Sequence, residues 1–73
     1  MSYTVKTKGI MCGHCEAKVE SALLKVAGVT DAEADHETNV VKVECSADVT
    51  ADAVRAAIEG ASDTYEVLEV SED

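Results

Sequence analysis

Seventy-three residues leave room for one domain with one modest core, because a chain this short buries a smaller share of its surface than a longer one. Fifteen acidic against six basic side chains give a formal net charge of -9 at pH 7, which repels phosphate backbones and supplies no basic stripe for nucleic acid. The chain is 47% hydrophobic but only 3% aromatic, with no Phe and no Trp, so its core has to be assembled from Val, Ala, Leu and Ile.

The first residues, Met1 to Lys6, show neither a basic leader followed by an apolar run nor a stretch long enough to span a bilayer. Membrane insertion is therefore not expected, and a reducing cytoplasm is the expected compartment. Tyr3, Val5 and Thr7 alternate with Thr4, Lys6 and Lys8, the period of a half-buried strand, until Gly9 breaks it. A loop carrying Cys12 and Cys15 follows. From Cys15 onward Val19, Ala22, Leu23 and Val26 fall at i, i+3, i+4 and i+7, which predicts a helix with one apolar face that stops at Gly28.

Val29 to His36 and Val40 to Cys45 read as strands of a hairpin, joined by Glu37-Thr38-Asn39, where Asn39 tolerates a left-handed backbone. Thr50 is placed to cap a second helix, with Asp52 in its first turn where the helix dipole favours acid. Val54, Ala57, Ile58 and Ala61 repeat the helical spacing, Gly60 lies near the end, and Tyr65 to Val70 supply a fourth strand before a short acidic end. The order βαββαβ over residues 1–73, read as a single domain, predicts an α+β ferredoxin-like fold: a four-stranded antiparallel sheet with both helices on one face.

The chemistry concentrates in Cys12-Gly13-His14-Cys15. At the start of a helix the unpaired N–H groups and the dipole stabilise negative charge, so Cys15, and Cys12 if it curls toward the same end, should ionise more easily than free thiols. Two thiolates at this spacing suit a soft ion that accepts two-coordinate sulfur ligation, above all Cu(I). A structural zinc site wants four ligands, and His14, His36 and Cys45 make no second ligand pair at finger-like spacing.

Cys-Gly-His-Cys is also the active-site tetrapeptide of protein disulfide isomerases, and thiol-disulfide exchange is the rival chemistry. Against it stand the missing Trp before the first cysteine, a chain too short for a thioredoxin domain, and the complete lack of the proline that thioredoxin folds place opposite the pair. Haem attachment would need His directly after Cys15, where Glu16 stands. Three cysteines in a reducing compartment do not read as a disulfide staple.

Among the neighbours, His14 is expected as a solvated loop imidazole, with a weak or dimer-induced ligand role as the alternative, and Met11 as an apolar side chain packed beside the loop. Cys45 shares strand parity with Val41 and Val43 and should point into the core. His36 reads as a partly exposed strand-end residue rather than a ligand.

The run Gly9-Ile10-Met11-Cys12-Gly13-His14-Cys15, followed by an amphipathic helix, Gly28-Val29, a hairpin, a second helix and Tyr65, resembles the heavy-metal-associated domain family over essentially the whole chain. That family comprises small copper chaperones and the N-terminal metal-binding domains of copper-transporting P-type ATPases. The resemblance implies a non-enzymatic metallochaperone in which Cys12 and Cys15 bind Cu(I) and a P-type ATPase metal-binding domain is the partner. It puts Tyr65 on the loop beside the site, where bacterial members often carry Tyr and eukaryotic chaperones carry Lys. Mercury or another soft metal, and a role as part of a transporter, are the alternatives within the family. The chain's own Met1 and its closure at a fourth strand favour a free-standing carrier, monomeric or bridged into a dimer by copper. One departure stands out: the family usually has Met two residues before the first cysteine, where this chain has Ile10, with Met11 displaced by one. Ile10 then takes over the packing under the loop.

Overall fold

A computed structural model describes residues 1–73 as six elements: β1 (Ser2–Lys8), α1 (Gly13–Leu24), β2 (Val29–Asp35), β3 (Val40–Cys45), α2 (Ala51–Ala61) and β4 (Glu66–Glu72). The strands form one antiparallel sheet in the order β2-β3-β1-β4, so β1 and β3 are central and the two helices cover one face. This is the ferredoxin-like arrangement the sequence predicts. Alternation decides the faces: Tyr3, Val5, Thr7, Val41, Val43, Cys45 and Val67 turn toward the helices and are buried, while Lys6, Lys8, Lys42 and Glu44 point to water. Val19 and Leu23 of α1 and Val54 and Ile58 of α2 meet them in a core of 14 residues. Each fully buried aliphatic side chain contributes roughly 1.5–3 kcal/mol, which is how a nearly aromatic-free core holds the fold.

Helix carboxylates reach N–H groups at both edges of the sheet. Glu20 Oε2 accepts the Ala34 N–H at 2.9 Å and Glu16 Oε2 accepts the His36 N–H at 2.7 Å along the β2 edge. On the β4 edge, Glu59 Oε2 accepts the Val67 N–H at 3.2 Å. Several helix carboxylates of this acidic chain thus occupy donors that would otherwise invite another strand.

The boundaries differ from the sequence expectation where the cause is not local. Helix α1 begins at Gly13 rather than Cys15, with Cys12 as its N-cap. It ends at Leu24 rather than running to Gly28, because the Lys25 and Val26 N–H groups bond three residues back, to Ala22 and Leu23, and tighten the last turn. Gly28, at φ +94°, instead turns the chain into β2, where a Cβ would lie 2.7 Å from Ser46 Oγ and 2.8 Å from Val49 Cγ2. The expected Thr50 cap is present, its hydroxyl accepting the Ala53 N–H at 3.2 Å. β4 runs on to Glu72, and Asp73 continues the pairing through its N–H to Ser2 O at 2.9 Å. The acidic end is therefore part of the sheet.

Candidate metal centre

Three connections meet at one end of the sheet: the loop from β1 to α1, the β2–β3 turn and the α2–β4 loop. Gly9 sits at φ +102°, and a Cβ there would come within 2.1 Å of Thr64 O, so only glycine lets the first loop lie against the third. That contact puts Tyr65 next to Cys15.

Cys12 is exposed and Cys15 half-buried, and all three thiols, Cys45 included, are free. As N-cap, Cys12 is extended (φ -161°, ψ 179°) and its side chain makes no cap bond. Cys15 sits at the third helical position and reaches back, as the acid of a capping box does. The Cys15 thiol is held below its ordinary pKa, first by the neighbouring Tyr65 hydroxyl and next by the Met11 N–H, with the Cys12 thiol and N–H adding to the effect and burial opposing it. The same pairing, with burial and the nearby thiols, pushes the Tyr65 hydroxyl up to about 12, so it remains a donor at any physiological pH. The sequence points to the helix start for this activation; Tyr65, distant in sequence, is the leading cause in the folded chain.

Met11 corrects an expectation. Its side chain is 77% exposed and packs beneath nothing, while Ile10 is 1% exposed and fills the core under the loop. Only one of two consecutive apolar residues can turn inward here, and it is Ile10. His14 is exposed in the first turn of α1, and Cys45 is buried away from the pair as strand parity predicts.

Sequence reasoning misses the ties that hold this loop. His36 Nδ1 lies 2.7 Å from Glu16 Oε2, the oxygen that also accepts the His36 N–H. The pair shifts reciprocally: hydrogen bonds from His36 lower the Glu16 pKa, and the Glu16 bond raises that of His36. Glu16, Asp35 and His36 together resemble a small ligand cluster, but Asp35 Oδ1 already accepts the Glu37 N–H at 2.8 Å and the Glu16 oxygen is doubly bonded. Each of those carboxylates is accounted for by the turn itself. The second tie, Asn39 to Ile10, spans 29 positions, and no local signal marks it.

The heavy-metal-associated domain pattern matches residues 4–63, and the chain belongs to that family. It is 43% identical to the copper chaperone CopZ of Staphylococcus epidermidis over 56 residues, 75% of this chain and 82% of that protein. It is 48% identical to the copper chaperone CopZ of Staphylococcus haemolyticus over 40 residues, a match covering 55% of this chain and 59% of that protein. Among solved structures it superposes on a CopZ metallochaperone with a TM-score of 0.86 at 33% identity, covering 93% of this chain and 100% of the other. A copper binding domain from HMA7, a P-type ATPase, superposes with a TM-score of 0.83 at 28% identity, covering 99% and 100% of the two chains. No helix of the chain is long and apolar enough to cross a membrane.

Proposed function

We propose that the chain is a Cu(I) metallochaperone that holds the ion between Cys12 and Cys15 and delivers it to the soluble metal-binding domain of a copper-transporting P-type ATPase. The observation that carries this reading is the pairing of one exposed free thiol, Cys12, with a half-buried one, Cys15, beside the Tyr65 hydroxyl that favours its anionic form. Soft sulfur ligands favour Cu(I), and two of them leave the ion under-coordinated and open to a third. The relatives named as copper chaperones and the copper-binding ATPase domain support the same assignment.

Transfer on this reading is ligand exchange. A thiolate of the partner adds to the ion from the exposed Cys12 side, giving a three-coordinate intermediate. The Cu–S bond to one cysteine of this chain then breaks and that sulfur takes up a proton, after which a second partner thiolate displaces the other. The donors around Cys15 stabilise its anionic sulfur throughout, and no enzyme chemistry is required. The carrier works in a reducing cytoplasm, where both thiols stay available, as a single domain and a monomer. At high concentration two chains can share copper through four thiolates.

A competition titration with Cu(I), Zn(II) and Hg(II) against a chelator, followed by mixing the loaded protein with a purified ATPase metal-binding domain, tests the assignment. One tightly held Cu(I) per chain that passes to the acceptor is the expected result. A preference for Zn(II), or copper retained in the presence of excess acceptor, would contradict it.

A further inference from the structure

The β2–β3 turn grips the metal loop on both sides. At the near side Asn39 Oδ1 accepts the Ile10 N–H at 3.0 Å, and at the far side His36 holds Glu16, the residue after Cys15, through its N–H and Nδ1. Asn39 is itself tightly fixed. Its backbone is left-handed at φ 55°, a conformation Asn tolerates better than most residues. Its carbonyl takes both the N–H and the hydroxyl of buried Thr7, each at 2.8 Å, and its Nδ2 donates to His36 O at 3.2 Å.

We propose that Asn39 is a positioning residue for the metal loop: by holding the Ile10 N–H it sets the path of the Ile10–Cys12 backbone and thereby fixes where Cys12 stands before any ion arrives. The Ile10 side chain is locked in the core, so with its N–H also held, little freedom is left in the peptide that carries the Met11 N–H. Cys12, the exposed thiol of the pair, follows on the same short stretch of backbone. A loop ordered in advance loses less conformational entropy when it binds its ligand. The first consequence, loop order, is independent of the metal; the second, tighter binding, rests on the Cu(I) reading.

Two variants separate positioning from mere turn formation. Asn39→Gly keeps the left-handed backbone but removes the side-chain acceptor, whereas Asn39→Asp keeps an acceptor oxygen for the Ile10 N–H. Amide hydrogen exchange in the metal-free protein is read at Ile10, Met11 and Cys12 and compared with core amides such as Val5 and Val43. In Asn39→Gly the loop amides should exchange roughly 2- to 12-fold faster, beyond any change in the core, and Cu(I) affinity should fall by a factor in the same range, the worth of one net hydrogen bond. Asn39→Asp should restore both to within about twofold of wild type. Loop exchange that changes no more than core exchange, an Asn39→Asp variant as impaired as Asn39→Gly, or undiminished Cu(I) affinity in Asn39→Gly would each overturn the proposal. A wild-type chain that holds no Cu(I) would remove the chaperone assignment, and the exchange comparison would still decide whether Asn39 orders the loop.

Discussion

Tyr65 and Cys15 lie 50 positions apart in the chain, yet their side chains form one unit. Because the tyrosine hydroxyl is the leading cause of the lowered Cys15 pKa, Tyr65→Phe should raise that pKa toward its ordinary 9.0. Thiolate absorbance followed through a pH titration, in a Cys12→Ser/Cys45→Ala background that leaves Cys15 as the only thiol, measures the change. An unmoved midpoint would show that the loop N–H groups alone activate the sulfur. At this scale the two cysteines and the presence of an aromatic residue beside them were readable from spacing and family resemblance. The packing of Ile10 under the loop was readable from the same resemblance, whereas the exposure of Met11 was not: both residues are apolar, and no local pattern says that Met11 stays in solvent while Ile10 fills the core.

Among elements, the strands and the second helix follow directly from alternation, i, i+4 spacing and the Thr50 cap, whereas the limits of α1 do not. Cysteine is not a usual N-cap residue, so nothing local announces a helix starting at Gly13, and the tightened turn at Lys25 and Val26 preserves the apolar spacing beyond the true helix end. The tie from β2 to α1 through His36 and Glu16 makes a pH-dependent contribution. His36, raised above 6.5 in the folded protein, adds stability that is complete below 6.5 and fades as pH rises through its folded pKa. Glu16, lowered below 4.5, adds stability that is complete above 4.5 and fades as pH falls through its folded pKa. The stability difference between wild type and His36→Ala should therefore be greatest between pH 4.5 and 6.5 and narrow on either side, as measured by denaturant unfolding across pH. A difference independent of pH would reduce the tie to packing. On β3, Cys45→Ala should cost about 1 kcal/mol by truncating a buried side chain while leaving metal stoichiometry unchanged. Loss of a copper equivalent with circular dichroism intact would make Cys45 a ligand.

For the whole molecule, the net charge of -9 is the property most available for partner choice, since the metal loop offers little area for recognition. Encounter with an acceptor domain bearing a basic patch should be accelerated by this field and slow as salt screens it. Stopped-flow transfer rates from low to high ionic strength check this, and a flat or rising profile would limit the charge to keeping the chain soluble. The fold as a whole was legible because each element's pattern agrees with its neighbours, while the acids that bond N–H groups at the sheet edges, Glu16, Glu20 and Glu59, were visible in the sequence only as net charge. Copper binding by the thiol pair is the claim on which the rest depends, and a Cu(I) competition titration of wild type, Cys12→Ser and Cys15→Ser across protein concentration tests it most directly. About one Cu(I) per wild-type monomer, with affinity lower by orders of magnitude in either serine variant, is expected because oxygen is a poor ligand for a soft ion. Serine variants that hold Cu(I) as tightly as wild type would contradict it.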